Sequence, residues 1–423
     1  MVKSSNINSL FWALLLFLTF IPSVTFSLLH AEVFPYAFLV AILLFFKKNA
    51  DDLDGFTFTI PKKIMTFLIL IAFSIIYGFV RNQSENSDVV RSVIAYLNPI
   101  LIFFAILTVS EYKFNLYSRL LRYFFYLLLV VGLLQFSGIG SLIGLDIIIK
   151  LLIPRGNGEL LGLGRGASLL SSEPSRASLE FIFISLTLRY LTFQLSKVKD
   201  LIFDFLILLF LITVTRSATG MLYFLVYFTF KQVVLTTGFF AILASFLSVI
   251  LLFFSSIEIR ALEVFSIVLN TPVDELYKLF LNVSGFRGIS VHTSYLFGFN
   301  NLFGGGVGFW EYSSLEALRS SGFLYHEISY FAHRYSDFVA VRPTSYIASV
   351  TLDMGVIGLI IVLSILSPVL VKPLIKSDFY PVICLFLFYL FFIGTIGNPV
   401  PWICIALLIR NYNMESNSKT VIK

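Results

Sequence analysis

The sequence predicts an all-α, polytopic integral membrane protein with about twelve transmembrane helices and two large outer loops. Three observations lead there. The chain is 58% hydrophobic, 17% aromatic and only 13% charged, with a mean hydropathy of +0.92 and 48 phenylalanines, a balance far from that of soluble domains. Apolar runs of roughly 17 to 20 residues recur from end to end, the length a helix needs to cross the hydrocarbon core. Charged residues collect between those runs.

In chain order the expected spans are 10–29, 33–46, 64–80, 93–109, 120–137, 177–194, 201–215, 217–230, 233–256, 344–371, 379–396 and 399–410. The second, eighth and last are short enough to be half-inserted. The first follows one lysine, and no small-residue cleavage site comes after it, so it reads as a span rather than a removed signal peptide. Cys384 and Cys404 fall in late apolar runs, as packing residues. No internal repeat or low-complexity linker is visible, and 1–423 reads as a single integral membrane domain.

With a cytoplasmic N-terminus, "KKNADDLDGFTFTIPKK", "EYKFNLYSRLLR", "SKVKD" and "KPLIK" lie inside. The loops 81–92, 138–176 and 257–343, and the turn at Arg216, lie outside. Total basic charge hardly separates the sides, but residue type does: 13 of 15 lysines are inside and 11 of 15 arginines outside. Two readings account for this. Arginine snorkels at interfaces, or the outer face recognises a planar oxyanion such as phosphate, which suits the rigid guanidinium fork.

Loops as long as 138–176 and 257–343 are usually functional. Each is expected to hold interfacial helix. "SLIGLDIIIKLLIP" spaces Asp146 and Lys150 at i,i+4 on an apolar segment. In "NTPVDELYKLFLNVSG", Thr271 fits an N-cap, Pro272 the first helical position and Gly285 the stop.

Four stretches carry candidate chemistry. "SLLSSEPSRASLEF" sets Glu173, Pro174 and Arg176 at the mouth of a span. Glu173 either caps the helix, with Ser171 or Ser172 ahead of Pro174, or serves with Arg176 as a general base or sugar-hydroxyl ligand. "VTRSATG" puts Arg216 in a tight turn between two apolar runs, where a guanidinium needs an anion or a carboxylate. "NNLFGGGVGFW" lacks the Lys-Ser/Thr of a nucleotide-binding loop, so its glycines are expected to make irregular backbone over a cavity. "YHEISYFAHRYSDF" holds His326 and His333 without metal-ligand spacing, leaving His326, Glu327 or His333 as a general base, or plain surface polarity.

Many spans, one medium and one long outer loop, "SEPSRAS" ahead of a span, "TRSATG" on a tight turn, "GGGVGFW" and "SYIASVTLDMGVIGL" together resemble the O-antigen polymerase (Wzy-type) family. Some members carry arginine, ten residues, then glycine in each large outer loop, and Arg155 to Gly166 and Arg287 to Gly298 match that pattern. The related O-antigen ligases usually have a His-Asn pair where this chain has Thr344 and Ser345, which favours polymerase over ligase. The resemblance implies a bacterial inner-membrane, multi-pass glycosyltransferase. It would join repeat units carried on polyprenyl diphosphate, usually undecaprenyl diphosphate, at the periplasmic face. Arg155, Arg176, Arg216 and Arg287 would hold the diphosphate and glycan, and Glu173 or His326 would act as the base. No metal, cofactor or nucleic acid is implied. Membrane lipid, a chain-length regulator and a flippase of the same pathway are the implied partners. The alternatives are an O-antigen ligase, or a non-enzymatic lipid-linked oligosaccharide flippase or transporter. Transport calls for charges at mid-membrane and an internal repeat, whereas the sequence is expected to keep its charges at span ends.

Overall fold

Long apolar runs with few breakers satisfy their own backbone polar groups as helices. In chain order the computed structural model has α1 (Val2–Leu18), α2 (Tyr36–Phe45), β1 (Phe46–Lys48) paired antiparallel with β2 (Phe56–Phe58), α3 (Lys62–Asn82), α4 (Val89–Leu107), α5 (Glu111–Phe136), α6 (Ile139–Leu142), α7 (Leu145–Leu152), α8 (Pro174–Thr192), α9 (Lys197–Phe210), a π-helical turn (Leu211–Thr215), α10 (Ala218–Lys231), α11 (Leu276–Asn300), α12 (Trp310–Ser320), α13 (Tyr346–Lys376), α14 (Tyr380–Phe391) and α15 (Val400–Val421). The structure describes residues 2–22, 36–48, 56–58, 61–82, 88–153, 166–192, 196–231, 272, 276–322, 341–392 and 394–421.

Four helices among the described residues are long and apolar enough to cross a membrane: Lys62–Arg81, Val89–Leu107, Glu111–Phe136 and Tyr346–Lys376. Each expected span overlaps a helix, apart from 233–256, which lies outside the described residues. Met65, Ile69, Ile76 and Val80 on α3, and Tyr123, Val130 and Leu133 on α5, are exposed. Water does not tolerate continuous apolar surface on that scale, but lipid does. The apolar helices mark a membrane protein.

The chain divides into two compact units, the first being Met1–Phe34, Ser110–Thr271 and Asp378–Leu385, the second Pro35–Val109, Pro272–Ser377 and Phe386–Lys423. In the first, α1 packs on α5 by setting Phe17 edge-on to Phe124, and Phe20 just beyond α1 stacks on the same ring, each with centroids 5.6 Å apart. Phe181 of α8 stacks between Phe125 at 5.7 Å and Phe210 at 4.2 Å. The segment expected to be interfacial is broken at Gly144, whose φ of +74° few side chains tolerate. The result is two short helices with Leu142, Ile147 and Leu151 exposed.

In the second unit, Asn98 ties three segments together by accepting from Phe38 N at 2.6 Å and donating to the Gly397 carbonyl at 3.0 Å. The expected stop at Gly285 is overturned, because α11 continues through it to Asn300. One interior glycine costs a helix only about 1 kcal/mol, and burying Ile289, Val291 and Phe297 further along outweighs that. Pro272 precedes α11 instead of opening it, and Thr271 lies outside the described residues. Helix α13 kinks at Gly355, whose φ is +65° and ψ −159°. The kink leaves the Leu352 and Asp353 carbonyls to accept from Gly305 N and Gly306 N, each at 2.9 Å. Thus the glycine loop Asn301–Phe309 is irregular, as expected, but it is docked on protein. A Cβ on Gly306 would lie 2.3 Å from Gly78 Cα.

Candidate functional site

In the first unit the described candidates lie on two neighbouring segments, the turn at Arg216 and the start of α8. Thr213 and Thr215 turn their hydroxyls back to the Leu209 and Leu211 carbonyls, at 2.7 and 3.0 Å. Such back-bonding competes with the regular helical ladder, and here the chain widens into the π-turn Leu211–Thr215. Arg216 follows in the left-handed region, at φ 47° and ψ 36°. An arginine rarely sits there, and both π-turns and such strain concentrate at functional sites. Its Nε donates to the Thr213 carbonyl at 3.3 Å, and no described carboxylate pairs with the guanidinium. Ser217 then starts α10, its hydroxyl accepting from Gly220 N at 3.1 Å.

The "GRGAS" and "SEPSRAS" stretches are fastened to this turn at two points. Ala167 N donates to the Val214 carbonyl at 2.8 Å, and the Ser178 and Ser217 hydroxyls lie 3.0 Å apart. Gly166 is pressed so closely to the turn that a Cβ would fall 1.7 Å from the Thr215 carbonyl oxygen. Leu169 also has a positive φ, 53°. It is held by buried Gln135, which accepts from Leu169 N at 2.9 Å and donates to its carbonyl at 3.3 Å.

Pro174 opens α8, with Glu173 immediately ahead of it and its carbonyl accepting from Ala177 N at 3.0 Å. Of the two expected serine caps, Ser172 Oγ accepts from Arg176 Nη1 at 3.2 Å; beside it Ser175 Oγ donates to Glu173 Oε2 at 3.2 Å. Glu173 and Arg176 at the start of α8 and Arg216 in the turn before α10 thus lie on segments that hydrogen-bond to each other through Ser178 and Ser217. Arg287 belongs to the second unit, half-buried on α11, where its carbonyl accepts from Ser290 Oγ at 2.9 Å. Arg155, His326 and His333 lie outside the described residues.

A second constellation, in the second unit, was not found from sequence. Tyr96 of α4 sets its hydroxyl 2.6 Å from Asp353 Oδ2 and 2.8 Å from the Ser349 carbonyl. Tyr346 Oη donates to the Tyr96 carbonyl at 3.0 Å. The Arg342 guanidinium lies 5.8 Å from the ring centroids of both Tyr96 and Trp310. Asp353 Oδ1, Arg342 Nε and Nη2, Trp310 Nε1 and Thr344 Oγ1 are buried without a hydrogen-bond partner. The only sequence signal was a carboxylate ten residues into a long apolar stretch.

Nearby on α11, the Tyr295 hydroxyl donates to the Phe391 carbonyl at 2.6 Å, and burial pushes its pKa up to about 12. Burial shifts His292 the other way, below the usual histidine value.

The expectation that charges stay at span ends holds for Arg189, Asp200 and Lys231, which lie in the last turn of α8, the first of α9 and the last of α10, but not for Glu180 and Asp353, about two turns inside α8 and α13. Glu180, Arg189, Asp204 and Asp353 are buried within helices. Arg189 pairs with Asp200 and Asp204, and Lys231 pairs with the same two carboxylates. Low dielectric makes unpaired charge costly, and apolar flanks in the sequence conceal that partners from three helices meet. Among the described residues no group of three or more His, Cys, Asp or Glu side chains is placed to hold a metal. Compared with protein-family models, curated proteins and solved structures, the chain has no match.

Proposed function

We propose that this chain is a polymerase that joins polyprenyl-diphosphate-linked oligosaccharide repeat units into O-antigen, capsular or related surface polysaccharide. In this reading it spans a bacterial inner membrane about twelve times, and the loops 138–176 and 257–343 face outward. The observation that carries the reading is Arg216, held in a strained left-handed turn after a π-helical turn and fastened to the start of the Glu173–Arg176 helix. A fold that accepts such strain at a cation with no carboxylate partner among the described residues favours an anionic ligand there.

The reaction follows from that arrangement. A hydroxyl oxygen of one repeat unit forms a bond to the anomeric carbon of the other, and the bond from that carbon to the lipid diphosphate breaks. The diphosphate leaves with the bonding electrons, and its charge falls to Arg216 and Arg176, with Arg155 as a further anion ligand. The hydroxyl proton passes to Glu173 or His326. Every bond is exchanged between the two substrates, so the chemistry needs no redox partner.

Full-length protein, reconstituted with the lipid-linked repeat unit of its source organism, should yield a ladder of lengthening chains on the same lipid. Arg216→Ala should collapse the ladder while leaving the protein folded. Unchanged substrate with folded protein would overturn the reading. The buried charges Glu180, Arg189, Asp204 and Asp353 give a second reading, lipid-linked oligosaccharide transport, some support. Protein that moves the repeat unit across vesicles without lengthening it would establish that one.

A further inference from the structure

Among the described residues of the second unit, five of the nine buried polar atoms without hydrogen-bond partners have chemistry complementary to one kind of ligand. Arg342 Nε and Nη2 and Trp310 Nε1 are donors, Asp353 Oδ1 is an acceptor, and Thr344 Oγ1 can be either. Buried polar groups are nearly always satisfied, so orphans concentrated in one place need an explanation. They are linked: Arg342 lies against both the Trp310 and Tyr96 rings, and the Tyr96 hydroxyl bonds the other oxygen of Asp353. Asp353 is only 1% exposed.

Charge decides the ligand class. A phosphate would suit the donors but would meet the Asp353 carboxylate, and a cation would meet Arg342. A neutral polyhydroxylated ring satisfies both, since each sugar hydroxyl accepts from a guanidinium or indole N–H and donates to a carboxylate. The partly exposed Trp310 adds an apolar face of the kind that sugar C–H groups cover.

We propose that Arg342, Trp310 and Asp353 form a binding site for a neutral sugar ring of a glycan, with Thr344 and Tyr96 supporting it. The proposal stands on donor and acceptor balance within one unit, and it holds whether the chain polymerises glycans or moves them.

Trp310→Phe tests it, because the substitution keeps an aromatic face while removing the orphan N–H together with the smaller ring of the indole. With no ligand present, loss of the unsatisfied buried donor offsets part of the packing lost with the smaller side chain. The probe is the set of neutral oligosaccharides released by mild hydrolysis from the source organism's surface polysaccharide, fluorescently labelled and titrated against full-length protein in lipid nanodiscs. Wild type should bind saturably, and Trp310→Phe should weaken binding about tenfold, as loss of one buried hydrogen bond does. Asp353→Asn, which keeps the shape, should weaken it as well. Absence of wild-type binding, or equal binding by folded Trp310→Phe protein, would overturn the proposal. The polymerase reading fails separately. A ladder made by protein indifferent to Trp310→Phe removes this site alone, and binding lost with Trp310→Phe in protein that makes no ladder removes the polymerase alone.

Discussion

Replacing Arg216 by alanine and by glycine separates its backbone from its charge. At φ 47° and ψ 36° the residue occupies a region that costs an L-amino acid about 1–2 kcal/mol. Both substitutions remove the guanidinium and its 3.3 Å bond to the Thr213 carbonyl, a long contact contributing about 0.5 kcal/mol. Alanine keeps the strain. Glycine releases it but loses roughly 0.5–1 kcal/mol through the extra freedom of its unfolded chain. Glycine should therefore come out more stable than alanine by about 0.5–1 kcal/mol, and close to wild type. The readouts are denaturant titration in mixed micelles and ladder synthesis from the lipid-linked repeat unit. The expected pattern is polymerisation lost in both variants, with stability restored only in glycine. Equal stability of the two would refute the argument from backbone strain. Full activity in either would refute the role assigned to the guanidinium.

Other expectations follow from burial. Asp204→Asn leaves Arg189 and Lys231 sharing Asp200 alone in a buried setting, and should cost about 3–5 kcal/mol in the same titration; a loss under 1 kcal/mol would mean water reaches the network. His292 has its folded pKa held below the ordinary 6.5 by burial. Its neutral form is the one the fold favours, so its contribution is fully present above about pH 6.5 and is lost as pH falls through the folded value. Wild type should thus lose thermal stability relative to His292→Asn between neutral pH and pH 5, and parallel curves would contradict this.

Much of the helical layout was legible because it depends on one quantity, the length of apolar runs, which sequence states directly. Arg216 was legible for a related reason: a guanidinium between two apolar runs is costly unless something holds it. The π-turn was not, since Thr213 and Thr215 only bias the backbone, and Gly166 and Ala167 docking on it completes the geometry. Gly285 was misread because a local stop signal has no knowledge of the residues that bury themselves beyond it. The Arg342 cluster was invisible because Tyr96, Trp310, Arg342 and Asp353 come from distant parts of the chain. Arg189, Asp200, Asp204 and Lys231 show the same limit: their places near helix ends were legible, but not that they pair with one another.

The two arginine-to-glycine matches now divide into a chemical half and a structural half. A Cβ on Gly166 would fall 1.7 Å from the Thr215 carbonyl oxygen, and one on Gly298 would fall 2.3 Å from the Thr351 carbonyl oxygen. Both glycines let one backbone touch another, so the spacing has a physical ground that does not involve the arginines. Within α11, Arg287 and Gly298 are separated by about three turns, which returns them to one helix face. The glycine then fixes how closely that face approaches α13, and the arginine is carried with it. Gly166→Ala and Gly298→Ala should each cost about 1–3 kcal/mol by overpacking, since the obstructing atoms are backbone and cannot swing aside. Gly144→Ala is the comparison: its φ of +74° is strained, but nothing lies within 4 Å of the new Cβ, so only the conformational cost of about 1 kcal/mol remains. Arg287→Ala and Arg216→Ala should reduce polymerisation far more than stability. If the glycine variants instead match wild type in denaturant titration and fail only in synthesis, the glycines belong to the reacting site and the division is wrong.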